Sequence, residues 1–170
     1  PDVRDNYEEQ LPKLFEKIRT IAPRCKHLIL TGGEPMLQQD AILAIRKEFP
    51  DYYIEVETNG SQKPVCVDAV DLFTVSYKTS NSGNPPYELK TRGPKCIYKF
   101  VVCAPADFEE IENIIKKYNL PPEHIFLMPE GTTAKELLDK QSFIIDYCKQ
   151  RGYRFTTRLH ILTWGSKRAT

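Results

Sequence analysis

The apolar run Leu28-Ile29-Leu30 is followed at once by Thr31-Gly32-Gly33-Glu34-Pro35. Glycine has no Cβ to hold a ligand away, so two in a row expose peptide N–H and C=O groups at a strand end. Such an edge suits paired ammonium and carboxylate groups, as at the end of an amino acid. A plain turn is the other reading of the same glycines. Pro35 removes one donor and directs the chain. The stretch is not G-x-G-x-x-G, and no Lys-Ser/Thr follows as in a P-loop, so a phosphate site is not indicated. Further on, Glu55 and Glu57 in Glu55-Val56-Glu57-Thr58-Asn59-Gly60 alternate and share one strand face. Glu57, near the strand end, fits a pair of ribose hydroxyls; an exposed strand face is equally compatible. Ser76 and Lys78 are also two apart, and Lys78 reads either as a partner for a ligand carboxylate or as a solvated lysine.

The elements that position these residues can be traced from hydrophobic periodicity. Apolar positions Tyr7, Leu11, Leu14, Phe15, Ile18 and Ile21 predict a helix over 5–22. A buried strand follows at 27–31, then a helix marked by Leu37, Ala41, Ile45 and Phe49 and stopped by Pro50. Strands are expected from Tyr52 to Thr58, Asp71 to Ser76, Ile97 to Cys103, His124 to Met128 and Phe155 to Leu162. Residues 79–95 are rich in Ser, Asn, Gly and Pro and read as a long, mobile loop. Asp107 with Glu110, and Thr133 with Glu136, are capping-box pairs for two more helices, the second ended by Arg151-Gly152. Strands alternating with helices predict an α/β fold with a mostly parallel sheet, and nothing divides residues 1–170 into two domains.

In such a sheet ligands gather where the strands' carboxyl ends lie. Five strand ends are polar here: Thr31-Gly32-Gly33-Glu34, Glu57-Thr58-Asn59, Ser76-Tyr77-Lys78, Pro129-Glu130-Gly131-Thr132, and Arg158 with His160. His160 reads as a structural histidine on an apolar strand, and Trp164 as a packing residue. The net charge of +1 on 170 residues makes no field suited to nucleic acid. No apolar run is long enough for a bilayer, and no signal peptide is visible, which gives a cytoplasmic expectation. The five cysteines, Cys25, Cys66, Cys96, Cys103 and Cys148, contain no C-x-x-C pair and read as free thiols in a reducing compartment.

Taken in order, LTGGEPMLQ, VETNGS, VSYKTSNSG, FLMPEGTT and RLHILTWGSKRAT resemble the radical S-adenosylmethionine (SAM) enzymes. Within them the chain is most similar to the 7-carboxy-7-deazaguanine synthases, from residue 30 to the end. The resemblance implies a partial (β/α) barrel. It also implies a lyase that uses SAM, a [4Fe-4S] cluster and magnesium. The substrate would be 6-carboxy-5,6,7,8-tetrahydropterin. A 5′-deoxyadenosyl radical would take hydrogen from its C6, and the ring would contract with loss of ammonia. The product would feed 7-deazapurine synthesis, including queuosine. A flavodoxin or ferredoxin would donate the electron, and a homodimer is implied. Residue by residue, Gly33, Glu57, Ser76, Tyr77, Lys78, Met128, Pro129, Glu130 and Gly131 would bind SAM. Thr31, His160 and the terminal Thr170 would lie at the pterin.

Three features depart from the family pattern. Tyr77 stands where proline is usual, and Ala169 where glycine is usual. Only Cys25 precedes TGGEP, so the family's C-x-x-x-C-x-x-C loop, its magnesium-binding threonine and its first strand are expected to be missing from these residues. No catalytic or metal residue is therefore assigned, and these 170 residues alone are expected to be inactive. A glycyl-radical activating enzyme, or a cluster-free homologue that binds SAM or a pterin, are the rival readings.

Overall fold

The computed structural model describes residues 7–21, 23–165 and 167. The order of elements is α1 (Tyr7–Ile21), β1 (His27–Leu30), α2 (Gln39–Glu48), β2 (Tyr53–Thr58), β3 (Leu72–Val75), β4 (Cys96–Val102), α3 (Asp107–Tyr118), β5 (Ile125–Pro129), α4 (Ala134–Arg151), β6 (Arg154–Phe155) and α5 (Leu159–Trp164). Short 3-10 turns lie at Pro35–Leu37, Val67–Ala69, Ser80–Ser82 and Pro122–His124. All five strand pairings are parallel, and the strands stand in sequence order from β1 to β6. The sheet is open among the described residues, with β1 and β6 at its two edges. This is the expected partial barrel.

The period-2 pattern of the strands separates two faces. One carries Ile54, Val56, Phe73, Val75, Phe100, Val102, Ile125 and Leu127, each no more than 2% exposed. These side chains pack with Ile42 and Ile45 of α2, Ile111, Ile114 and Ile115 of α3, and Ile144 and Cys148 of α4. The alternating positions Glu55, Glu57, Lys99 and Val101 are only half-buried, and they form the face on which polar chemistry collects.

Local chemistry explains most boundaries. Thr133 caps α4: its hydroxyl accepts from the Glu136 N–H, and the Glu136 carboxylate accepts from the Thr133 N–H at 3.0 Å, the expected reciprocal box. Left-handed Gly152 ends the same helix. The Asp107–Glu110 box does not form. Ala106 is the N-cap of α3 and makes no side-chain cap. Asp107 Oδ2 instead accepts from the Cys103 and Ala104 N–H groups at 2.6 and 3.1 Å, and Glu110 accepts from Ser80. The last strand is also shorter than expected. Pairing with β5 stops at Phe155, and residues 159–164 turn into α5. The segment read as a mobile loop is anchored: Leu89 and Thr91 are fully buried, and Lys90 and Thr91 donate to the Gly60 carbonyl.

Candidate functional site

The carboxyl ends of β1 to β5 bring most of the sequence-selected residues together. After β1, Gly32 and Gly33 adopt φ of +92° and +53°, and a Cβ on either would meet nothing within 4 Å. The left-handed backbone requires glycine, and the space before it is open to a ligand. Glu34 explains the acid beside this edge. Its Oε1 accepts from the Met36 N–H at 3.1 Å and the Thr58 hydroxyl at 2.7 Å, and its Oε2 from the Asn59 N–H at 2.8 Å. The Thr58 and Asn59 bonds tie the glycine turn to the end of β2, and the Met36 bond caps the 3-10 turn that follows, so Glu34 is a brace for the edge.

Glu57 faces the polar side of the sheet with both oxygens engaged. Thr31 Oγ1 donates to Oε2 at 3.3 Å, and Lys99 Nζ, from β4, reaches Oε1 at 2.9 Å. A carboxylate has about four acceptor sites, so these contacts orient Glu57 and leave capacity for a vicinal diol. Beside it, Lys78 Nζ donates to Ser76 Oγ at 3.2 Å. Burial lowers the pKa of Lys78, and the charges of Lys99 and Arg158 lower it further; Glu57 and Glu34 oppose this. Two hydrogen-bonded sets, Thr31–Glu57–Lys99 and Ser76–Lys78, thus stand close enough for the charges of Glu57, Lys99 and Arg158 to act on Lys78, bringing together the ends of β1 to β3, the middle of β4 and the segment after β6.

The backbone under Lys78 is held by a single hydroxyl. Tyr87 Oη accepts from the Lys78 N–H at 2.9 Å and donates to the Asn59 carbonyl at 2.7 Å. Burial pushes the Tyr87 phenol up to about 12, so it remains a donor at neutral pH. Tyr77 points the other way. Its ring is 7% exposed, packs against Tyr87 and Phe100, and donates its hydroxyl to the Tyr87 carbonyl at 2.8 Å. The Tyr77 side chain is thus engaged in packing.

The stretch after β5 contributes mainly backbone. Val101 and Met128 are register partners, so Met128 belongs to the polar side, while Pro129 pairs with buried Val102. The Glu130 N–H donates to the Val102 carbonyl at 2.9 Å, and its carboxylate is paired with Lys140 at 2.6 Å. A Cβ at Gly131 would stand 3.0 Å from both Glu136 Cβ and Leu137 Cδ2, so glycine there allows close packing of the strand end on α4. A cavity of about 270 Å³ is lined here by Lys78, Val101, Cys103, Glu130 and Arg158, among others.

Two selected residues stand apart. His160 lies on α5 and is exposed, so it is neither on a strand nor a buried structural histidine. The strand expectation failed because β6 makes only two register pairs before the chain turns. Trp164 is 52% exposed and is likewise no packing residue. Thr170 and Ala169 lie outside the described residues. Lys99 was not selected from sequence. Its signal is a lysine between Ile97 and Val101 on the half-buried face of an otherwise apolar strand.

No group of three or more His, Cys, Asp or Glu among the described residues is arranged to hold a metal ion. Among them too, no helix is long and apolar enough to cross a membrane. The described cysteines are all free thiols, with Cys66, Cys96 and Cys148 buried.

The fold is similar to that of the crystal structure of QueE from Escherichia coli, with a TM-score of 0.59 and 20% identity over 85% of this chain and 63% of that one. No family model matches. In sequence, the chain is 35% identical to the 7-carboxy-7-deazaguanine synthase of Pyrobaculum aerophilum, covering 84% of this chain and 67% of the relative. It is 32% identical to the enzyme of the same name from Halobacterium salinarum, covering 81% and 65%. The chain therefore spans about two thirds of the length of these curated relatives. With the glycine edge, the braced carboxylate of Glu57 and the Ser76–Lys78 pair gathered at one end of a parallel sheet, this likeness makes the chain a member of the 7-carboxy-7-deazaguanine synthase family of radical SAM enzymes.

Proposed function

We propose that these residues form the SAM- and pterin-binding portion of a 7-carboxy-7-deazaguanine synthase. The whole protein converts 6-carboxy-5,6,7,8-tetrahydropterin to 7-carboxy-7-deazaguanine with loss of ammonia. The observation that carries this reading is the joined set Thr31–Glu57–Lys99 beside Ser76–Lys78 at the strand ends.

SAM fits the residues present. The open glycine edge at Gly33 takes the amino-acid end, where no Cβ blocks approach. Glu57, held by Lys99 and Thr31, accepts the two ribose hydroxyls. Ser76 and Lys78 offer a hydroxyl and a cation, with the Tyr77 backbone between them. Met128, Pro129, Glu130 and Gly131 line the adenosine chiefly through their backbone. When bound, SAM supplies the 5′-deoxyadenosyl group that takes hydrogen from the substrate. Thr31, next to Glu57, contacts the pterin; roles for His160 and Thr170 at the pterin rest on the family likeness alone. The described residues do not fit an iron–sulfur cluster or a magnesium ion, and no step through either is assigned to them. The same reading carries a single radical-SAM-like domain over residues 1–170, a flavodoxin or ferredoxin as electron donor, a homodimer and a cytoplasmic location.

Calorimetric titration of the chain with SAM tests the site. Saturable binding is expected, weakened roughly 10- to 100-fold by Glu57→Ala, the loss of hydrogen bonds to a charged acceptor. Failure of the chain to bind SAM, or binding indifferent to Glu57, refutes the assignment.

A further inference from the structure

Around the cavity beside Lys78, not every cation has a carboxylate within ion-pair distance among the described residues. Lys99 is paired with Glu57 and Lys140 with Glu130. The Glu34 carboxylate is occupied by the Met36, Thr58 and Asn59 donors. That leaves two cations lining the 270 Å³ cavity, Lys78 and Arg158, with no ion pair to a described carboxylate. Lys78 has only the neutral Ser76 hydroxyl at 3.2 Å. Arg158 has a long 3.4 Å bond from Nη1 to the Gly131 carbonyl, and its Nε is buried without a partner. A buried guanidinium N–H left unpaired is costly, and two like charges close together make it more so. An entering anion would relieve the like-charge pair, because a carboxylate can take a forked pair of bonds from arginine and a third from lysine.

We propose that Arg158 and Lys78 together form a clamp for a ligand carboxylate, with Arg158 a binding residue of the site. The clamp rests on the SAM and pterin reading above, which offers two sources of that group: the amino-acid end of SAM and the 6-carboxyl of the pterin. Arg158 stands after β6, so it becomes part of the site only because the chain returns beside β5. Its contact with Gly131 also couples the clamp to the segment that lines the adenosine.

The test compares each carboxylated ligand with its carboxyl-free counterpart. The pairs are SAM and decarboxylated SAM, and 6-carboxytetrahydropterin and tetrahydropterin. Affinity is measured by calorimetry for the 170-residue chain and for Arg158→Met, which keeps length and removes charge. The expected result is a loss of roughly 10- to 100-fold for one carboxylated ligand and little change for its counterpart. The pair that responds identifies the source. Arg158→Lys should recover part of the loss. Should Arg158→Met fail to fold, Arg158→Lys and Lys78→Met carry the same comparison, because each keeps a long side chain in place. Equal affinities of the original and variant chains for all four ligands, or equal losses within each pair, overturn the clamp. Absence of any binding by the original chain overturns the SAM and pterin reading as well, which separates the two failures.

Discussion

Replacing Glu34 tests whether the acid of the TGGEP stretch supports the fold or contacts a ligand. Its carboxylate accepts three hydrogen bonds, from the Met36 and Asn59 N–H groups and the Thr58 hydroxyl, at 2.7–3.1 Å. Glu34→Ala removes all three and leaves the buried Thr58 hydroxyl and two backbone donors to find water. A hydrogen bond to a charged group contributes about 1.5–3 kcal/mol, and three on one carboxylate do not add fully, so a loss of roughly 3–4 kcal/mol is expected. For a chain of this size that lowers Tm by roughly 6–16 °C. Glu34→Gln keeps one acceptor oxygen but turns an amide donor toward the other contacts, at a cost of about 1–3 kcal/mol. Urea and thermal unfolding followed by circular dichroism read both variants, with SAM titration at low temperature as the second measurement. A brace predicts the ordered stability series of original, Gln and Ala. Stabilities within 0.5 kcal/mol of one another, about the scatter of a neutral surface change, would refute the brace. If SAM affinity then collapsed, Glu34 would be a ligand contact.

Gly60 and Gly32 form a matched pair. Both have left-handed φ, +83° and +92°, but a Cβ at Gly60 would stand 2.6 Å from Leu89 Cδ1 and 2.7 Å from Val75 Cγ1, whereas Gly32 faces open space. Gly32→Ala should cost about 1–2 kcal/mol from backbone strain alone, and Gly60→Ala about 2–3 kcal/mol more from overpacking; equal costs in urea unfolding would refute the difference. Asp71 accepts from the Ile54 N–H at 2.7 Å and pairs with Arg46. Burial raises its pKa, but the Ile54 N–H and the Arg46 guanidinium outweigh that and hold it below the ordinary 3.8. A lowered folded pKa means that its contribution is complete above the unfolded value and is lost as pH falls through the folded one. The stability advantage over Asp71→Asn should therefore be constant from pH 7 to about 5 and shrink below 3.8; a gap unchanged to pH 2 would refute it.

Much of the fold was legible because it depends on local signals. Strand and helix periodicity placed the sheet and its carboxyl edge, and that edge then selected Thr31, Gly33, Glu57, Ser76 and Lys78. The Thr133–Glu136 box succeeded because neither partner had a stronger competitor nearby. The Asp107–Glu110 pair has the same spacing and failed. Asp107 found backbone donors at Cys103 and Ala104, and Glu110 was taken by Ser80, 30 residues away. The strand after Arg154 was misread for a related reason. Its apolar pattern fits a strand or a short helix, and the end of pairing with β5 decided between them.

The sequence alone determined the parallel α/β class, the glycine edge and the alternation that turns Glu57 to the polar face, since each follows from the period of the backbone or the lack of a Cβ. Only the tertiary structure decided that Lys99 orients Glu57, that Tyr87 holds the end of β3 to the end of β2, and that Arg158 joins Lys78 at one cavity. These pairs lie 9 to 80 residues apart, and which charges meet depends on strand order and register. Both are set by burial of the opposite, apolar face, which carries no record of the polar contacts it brings together.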